Sequence, residues 1–483
     1  MQVQTPDWVK HAIFYQIYPD RFARTTRGDL PPEMQIPLEP WESAPTQHGY
    51  KGGDLWGVAE NLDYLKSLGI TAIYFTPIFQ SASNHRYHTH DYYKVDPLLG
   101  GNEAFAELLN AAHERDMKVV LDGVFNHASR GFFFFNDLLE NGEASPWRDW
   151  WNVTGWPLDA YAKDETKTNY KSWWNIPALP EFNHNNPQPR EYIMRVGEYW
   201  MRQGIDGWRL DVPGDVDVPG FWEEFRSRIK AINPEAYIVG EIWGDATKWL
   251  QGDQFDGVMN YPFTGPAIAF TAKDRVNIPL AEGPDYYPYP ALDAKGYAEK
   301  IEELLNRHDW EIQQTQLNLL SSHDIARALS LVNEDMASMK LATLLLLTFP
   351  GAPSIYYGDE VGLPGGLDPD CRRGFPKEED WNQDMLSAHK QLIALRRSRP
   401  ALRTGKYQTL AAEGDCYVFA RLLDREMIVV AVNAGMEAVQ LRLADIAVKN
   451  GEVLYGDGEV EWTGDRTAML TVPARAGMVL GTA

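Results

Sequence analysis

The sequence predicts an α/β chain. Its expected form is a (β/α)8 TIM barrel with an inserted subdomain after the third strand and a C-terminal antiparallel β-sandwich. Three observations predict this. Eight short apolar runs alternate with amphipathic helical stretches, the pattern of parallel strands joined by crossover helices. Residues 128–188 break that rhythm after the third run and are rich in Trp, Asn, Pro and Asp. Beyond about residue 403, short strand-like runs with turns replace the helices. The barrel is therefore assigned 1–127 and 189–402, the inserted subdomain 128–188 and the sandwich 403–483. A doubly wound open sheet is the alternative; eight β-then-α units in order favour a closed barrel.

The strands are expected at "AIFYQIY" (12–18), "ITAIYFTP" (70–77), "KVVLDGVF" (118–125), "IDGWRLD" (205–211), "AYIVGEI" (236–242), "GVMNY" (257–261), "TQLNLLSS" (315–322) and "APSIYYG" (352–358). Helices fall between them. "VAENLDYLKSLG" stops at Gly69, and "NEAFAELLNAAHERD" is given Asn102 as its N-cap. "PREYIMRVGEYWMRQG", "PGFWEEFRSRIKAIN" and "DMASMKLATLLLLTF" follow. The sandwich is expected from "CYVFARLLD", "EMIVVAVNA", "AVQLRLA" and "TAMLTVPA".

One strand carries an anomaly. In "GWRLDV" (207–212), Trp208, Leu210 and Val212 alternate with Arg209 and Asp211, so one face is apolar and the other charged. The barrel rule puts chemistry at the C-terminal ends of strands, and Asp122, Asp211, Glu241 and Asp324 all fall there, with Arg209 and His323 beside two of them. A lone strand-end Asp is ordinarily a helix cap. Burying several charges costs several kcal/mol each unless they are paired, so four at one rim point to a site that uses them. Paired carboxylates in a neutral, aromatic-rich setting suggest glycoside hydrolysis. Arg209 is expected to lower the pKa of Asp211 and keep it charged; the apolar neighbours of Glu241 are expected to raise its pKa and favour the acid.

The bulk properties agree with a neutral substrate. A net charge of −23 argues against nucleic acid and anionic membranes as partners. Two cysteines, Cys371 and Cys416, make neither a disulfide framework nor a zinc pattern. The N-terminal stretch lacks a signal-peptide pattern, "LATLLLLTF" is too short to span a bilayer, and the expected location is the cytoplasm.

Taken in order, "FYQIYPDRF", "GGDLWGV", "SNHRYHTHDYYKVDP", "DGVFNH", "GWRLDV", "VGEIW", "WLQGDQFDGVMNYPF", "NLLSSHD" and "PGAPSIYYGDEVGLPGGLDPDCR" resemble the α-amylase family of glycoside hydrolases. The likeness is strongest to its neopullulanase, cyclomaltodextrinase and maltogenic amylase branch. The resemblance implies Asp211 as nucleophile, Glu241 as general acid and then base, and Asp324 as the third carboxylate gripping sugar hydroxyls. It implies that Arg209 holds Asp211, that His127 and His323 hydrogen-bond the sugar being cleaved, and that Tyr87 stacks under that sugar with His85 in contact. Asp122 would support the site, Asp368 and Arg372 would hold the next donor-side sugar, and Trp243 would line the acceptor side.

Departures limit what carries over. After the nucleophile the branch commonly reads "ANE"; here it is "PGD", with Asp215 in the Glu place. His88 stands where Asp is usual, and "SHDIAR" replaces "SHDTPR". Related enzymes often bind calcium near an Asn/Asp-rich loop and the Asp of "GGD". Asp54 is present, but the loop reads "ARTTRGD", so calcium is allowed but not predicted and no metal ligand is assigned. Asn126 matches one calcium ligand of the family without a second half. The branch usually carries an N-terminal β-domain that builds its dimer; here the barrel begins by residue 12, so a monomer or an oligomer built without such a domain is expected.

The expectation is a retaining hydrolase of α-1,4-glucosidic bonds in maltooligosaccharides, cyclodextrins, pullulan or starch, with transglycosylation open and no cofactor required. The alternatives are a plain α-amylase, an α-1,6-active debranching enzyme, or an inactive amylase-like binding protein. The last should have lost one of Asp211, Glu241 and Asp324; all three are present.

Overall fold

The computed structural model describes residues 3–161, 168–282, 285–444, 446, 451–464 and 466–481. The expected segments 128–188 and 403–483 each include residues outside these. All eight barrel strands form: β1 (Phe14–Ile17), β2 (Ala72–Phe75), β5 (Lys118–Gly123), β6 (Gly207–Leu210), β7 (Tyr237–Gly240), β8 (Gly257–Val258), β9 (Leu317–Leu319) and β10 (Ala352–Tyr356). They pair in parallel in the order β8-β7-β6-β5-β2-β1-β10-β9. A parallel bridge between Met259 and Leu317 joins the two ends, with the Asn260 amide donating to the Leu317 carbonyl at 2.8 Å. The sheet is thus a closed barrel and not the open alternative.

Backbone needs explain two glycines. Gly69 takes φ 98° where the helix Leu62–Leu68 stops, a conformation glycine adopts without strain. A Cβ at Gly207 would sit 2.3 Å from the Tyr237 carbonyl oxygen, so β6 and β7 approach closely only because that residue is bare. Asn102 corrects its expectation. The helix Gly101–His113 starts from Gly100, and the Asn102 side chain instead accepts from the Val95 amide at 2.7 Å.

Two excursions wall the C-terminal mouth. The first is a hairpin of β3 (Phe79–Ser81) and β4 (Thr89–Val95), which the sequence reading treated only as a motif. The second is the insertion after β5. It folds on its own aromatic residues: Phe132, Phe134, Phe135, Trp150, Trp151 and Phe182 pack ring against ring. Bridges His127–Glu181 and Trp151–Phe182 tie its return to its start. The richness in aromatics is largely core packing.

The chain ends in two antiparallel sheets. One holds β11 (Lys406–Glu413), β12 (Cys416–Leu423), β13 (Glu426–Asn433), β15 (Glu452–Tyr455) and β18 (Ala476–Gly481); the other holds β14 (Val439–Leu443), β16 (Glu459–Gly464) and β17 (Thr467–Val472). The helix Met336–Thr348 is buried over most of its length, with Lys340 at its outer face. Leu344 touches Gly477 of β18, and Arg396 and Arg421, both without exposed surface, donate to carbonyls of Leu347 and Thr348 at its end. Among the described residues no helix is long and apolar enough to cross a membrane.

Below the mouth lies a buried carboxyl with no cation paired to it among the described residues. Glu360, fully buried, accepts from the Tyr15 and Tyr64 hydroxyls at 2.8 and 2.7 Å and from the Gly358 amide at 3.0 Å. Burial outweighs those donors and raises its pKa to about 7. A raised folded-state value gives stability at low pH that is lost as pH rises through 7. Glu360→Gln should therefore gain on the wild type by about 3 kcal/mol between pH 4.5 and pH 8 in urea unfolding. Parallel stability curves for the two proteins would contradict this.

Candidate active site

Register builds the site. The pairing of β5 with β6 sets Asp122 opposite Arg209, and that of β6 with β7 sets Leu210 opposite Gly240. Asp211 and Glu241, one residue beyond each, are brought side by side. Trp208 and Leu210 face outward into the helical layer, where Trp208 meets Phe79 and Phe125, so Arg209 and Asp211 face the barrel axis. The alternation in "GWRLDV" is thus an apolar outer face and a charged inner one.

One guanidinium holds three carboxylates. Arg209 Nη1 donates to both oxygens of Asp122 at 3.0 Å and to Asp211 Oδ1 at 2.9 Å. Its Nη2 lies 3.1 Å from Glu241 Oε2. Arg209 has no exposed surface, Asp122 is 1% exposed, and Asp211 and Glu241 are 7% and 8% exposed. Asp122 therefore lies below the cleft, bound also by the Tyr74 and Tyr87 hydroxyls at 3.0 Å. Asp211 Oδ2 accepts no hydrogen bond among the described residues. Both oxygens of Glu241 are engaged: Oε2 accepts from the Val212 amide at 3.0 Å and Oε1 from Trp243 Nε1 at 3.1 Å.

The electrostatics correct one expectation. Burial, then the Glu241 carboxylate, pushes Asp211 well above the usual carboxylate range, and the pull of Arg209 does not reverse it. The reason is that the cation is shared. Burial likewise raises Glu241 and Asp324 and takes Asp122 to about 6. The carboxyls lie close together and share one cation, so they titrate as a group rather than singly. Cation proximity does not assign nucleophile and acid in the free protein; geometry must.

Asp324 follows β9 and is reached by His323 Nε2 at 3.2 Å and Arg372 Nη2 at 3.8 Å. Arg372 also pairs with Asp368 at 2.9 Å and donates to the His323 carbonyl at 2.9 Å. Gln16 Nε2 donates to His323 Nδ1 at 2.8 Å, which leaves Nε2–H to face the Tyr87 hydroxyl. The Tyr87 ring lies parallel to His323 (8°, centroids 5.4 Å apart), with His85 stacked beside Tyr87. His127 Nε2 is buried without a partner among the described residues. Burial lowers His127 to about 3 and His85 and His323 well below the usual imidazole value. These rings are neutral hydrogen-bonding groups at neutral pH, suited to hydroxyls.

The residues assigned to catalysis or sugar binding in the sequence gather at this mouth, though Asp122 only from beneath. Gln16 and Tyr74 were missed. Gln16 gives the same signal as Arg209, a polar residue inside an apolar strand. Trp173 was missed too: it stacks on His127 (5.3 Å, 23°), donates to Asp215 Oδ2 at 3.0 Å, and carries Trp174, 76% exposed, on its other face. Asp215 of "PGD" is thus tied to the inserted wall.

The residues do not fit calcium near Asp54. Its oxygens accept from the Gly57 and Thr25 amides at 2.8 and 2.9 Å, so it caps the helix Leu55–Glu60. Among the described residues Asn126 Oδ1 is buried without a partner, but it is one oxygen where calcium takes six to eight. Among the described residues no group of three or more His, Cys, Asp and Glu side chains is arranged to hold a metal.

With this geometry in place, the chain belongs to the α-amylase family of glycoside hydrolases. It matches the α-amylase catalytic domain over residues 16–395 and the α-amylase C-terminal domain over 405–480. It is 40% identical to a cyclomaltodextrinase of Geobacillus thermopakistaniensis, over 91% of this chain and 71% of that one. It is similar to the crystal structure of a debranching enzyme from Nostoc punctiforme, at 61% identity, a TM-score of 0.94 and full coverage of both chains. A cyclic α-maltosyl-(1→6)-maltose hydrolase from Arthrobacter globiformis matches at 34% identity and a TM-score of 0.87, covering 99% of this chain and all of that one.

Removing the shared cation tests the cluster. Arg209→Met should cost roughly 3–5 kcal/mol of stability. The loss should be larger at pH 8 than at pH 5, because carboxylates raised further must ionise as pH rises. Asp122→Asn in the same chain should recover part of it. A loss independent of pH in chemical unfolding would contradict the shared-charge account.

Proposed function

We propose that this chain is a retaining hydrolase of α-1,4-glucosidic bonds in maltooligosaccharides, cyclodextrins, pullulan or starch. The observation that carries the reading is the pair Asp211 and Glu241 on one guanidinium. Near neighbours suit direct attack rather than the wider gap that holds a water. Asp211 Oδ2, which has no hydrogen bond to lose, forms a bond to the anomeric carbon as the bond to the leaving oxygen breaks. Glu241 gives its proton to that oxygen. Water, losing a proton to Glu241, then displaces Asp211 and the anomeric configuration is restored. The neutral His127 and His323 bind hydroxyls of the sugar under attack, with His85 and Tyr87 against its face. Asp324 grips its hydroxyls, Arg372 and Asp368 hold the next donor-side sugar, and Asp122 positions Arg209. The third carboxylate and the neutral histidines favour an active enzyme over a binding protein.

A second reading, cleavage of α-1,6 branches, is favoured by the full-length likeness to the debranching enzyme. Parallel incubation with β-cyclodextrin, pullulan, starch and a branched maltooligosaccharide separates the two. Ring opening and panose from pullulan support α-1,4 cleavage. Release of linear chains from the branched substrate, with the cyclodextrin untouched, supports debranching and overturns the first reading. The enzyme is placed in the cytoplasm, to be checked by cell fractionation.

Asp211→Asn should lower kcat by roughly 10⁴-fold or more with the fold intact by circular dichroism. Glu241→Gln should cost about 10²–10⁴-fold on glucans but little in the first step on an aryl glycoside, whose leaving group needs no proton. Equal losses on both substrates would remove Glu241 from the acid role. No cofactor enters this scheme, so a chelator should leave both kcat and Tm unchanged; a fall of many degrees in Tm would reveal a structural metal.

A further inference from the structure

Outside the catalytic cluster, one buried charge has no part in the scheme above. Lys51 has no exposed surface, although lysine is almost never fully buried unless it is paired. Its ammonium group donates to the Pro40 carbonyl at 2.8 Å, the Ser43 carbonyl at 2.8 Å and the Ser43 hydroxyl at 3.1 Å, which uses all three of its hydrogens. The Glu39 carboxylate lies 3.7 Å away and balances the charge. These oxygens belong to one loop, 39–51, which contains neither helix nor strand. Its base is closed by the Glu39 amide, which donates to the Tyr50 carbonyl at 2.8 Å. The Thr46 amide donates to Glu39 Oε1 at 3.3 Å and ties the tip to the same group. The loop thus folds around the ammonium nitrogen as it would around a bound cation. Because that cation belongs to the chain, a chelator cannot remove it.

The outer side of the loop leans on the donor side of the cleft. Asn84 Nδ2 donates to the Gln47 and Gly49 carbonyls at 3.1 and 2.8 Å. Asn84 Oδ1 accepts from the Tyr18 hydroxyl at 3.3 Å, and the Tyr18 ring faces the Arg372 guanidinium at 5.7 Å, within reach of a cation–π attraction. A second path runs through Trp41. Its Nε1 donates to the Phe375 carbonyl at 2.8 Å, and a Cβ at Gly374 would sit 2.8 Å from the Trp41 carbonyl oxygen. Arg372 is therefore braced by the loop along two paths. His85 follows Asn84 in the chain but is fixed within its own hairpin, where its Nδ1 accepts from the Tyr87 amide at 3.2 Å.

We propose that Lys51 is a positioning residue. Its ammonium holds the loop 39–51 in shape, and through Asn84, Tyr18 and Trp41 the loop fixes Arg372 for the sugar next to the one under attack. This rests on the reading of Arg372 as a donor-side group. The enzyme's preference for a donor longer than one glucose would then depend on a lysine that touches no substrate.

The test uses the full chain and two substrates that differ only on the donor side, nitrophenyl α-glucoside and nitrophenyl α-maltoside. The wild type should prefer the maltoside. Lys51→Met keeps most of the stem and removes the charge; it should lower kcat/KM on the maltoside about 5–10-fold, mainly through KM, and leave the glucoside within about twofold. In an Arg372→Met background the same substitution should cost nothing further, since its effect runs through that arginine. Lys51→Ala should behave likewise and be restored by n-propylammonium, which supplies the missing stem and charge, but not by n-propanol. Ser43→Ala removes one acceptor and leaves the charge. It should shift the maltoside in the same direction by a smaller factor, and it decides the matter if the Lys51 variants do not fold. Equal losses on the two substrates, no loss on either, or additive losses with Arg372→Met would overturn the proposal. A wild type without preference for the maltoside would overturn the donor-side reading of Arg372, and the proposal with it.

Discussion

The Arg209 guanidinium sits on the barrel axis with no contact with water, and Asp122, Asp211 and Glu241 all lean on it. Three buried carboxylates could not stay together without a cation, and one cation cannot neutralise three of them. That imbalance is the useful property. Burial raises Asp211 and Glu241 toward their protonated forms despite that cation, and a retaining glycosidase needs one protonated and one ionised carboxyl at the start of each turnover. The barrel supplies the geometry: strands β5, β6 and β7 run in parallel and in register, so residues from three separate segments meet at one level.

Around that centre the structure separates support from contact. Tyr74 and Gln16 fix Asp122 and His323 from below, while the Tyr87 hydroxyl ties both and its ring stays with the cleft. The insertion and the β3–β4 hairpin supply walls, with His127 against Trp173 on one side, and the segments after β7 and β8 supply another, with Trp243 against Tyr261. Burial keeps the histidines neutral, so the cleft meets a neutral sugar with neutral donors and keeps its charge for the reacting bond.

Much of this was legible in the sequence, for physical reasons. The strands are short apolar runs with turn residues between them, and Arg209 and Asp211 stand out because charge at every second position of a buried strand has to be paired. Gln16 gives the same signal more weakly, since an uncharged amide costs less to bury. The Asn102 cap failed because Asn serves a neighbouring backbone as readily as a helix end. The pKa order failed for a different reason: a sequence shows that Arg209 neighbours Asp211, but not that it is divided among three partners. Trp173 was illegible, since a ring in an aromatic-rich loop reads as packing until its neighbours are seen.

The measurement that bears most directly on the account is the identity of the residue that carries the sugar. A fluorinated maltosyl donor with a good leaving group should trap the intermediate, and peptide mass spectrometry then locates the added mass. The account predicts one maltosyl adduct, on Asp211 in the peptide containing "GWRLDV". An adduct on Glu241 or Asp324, or turnover of the donor with inverted product and no adduct, would contradict it.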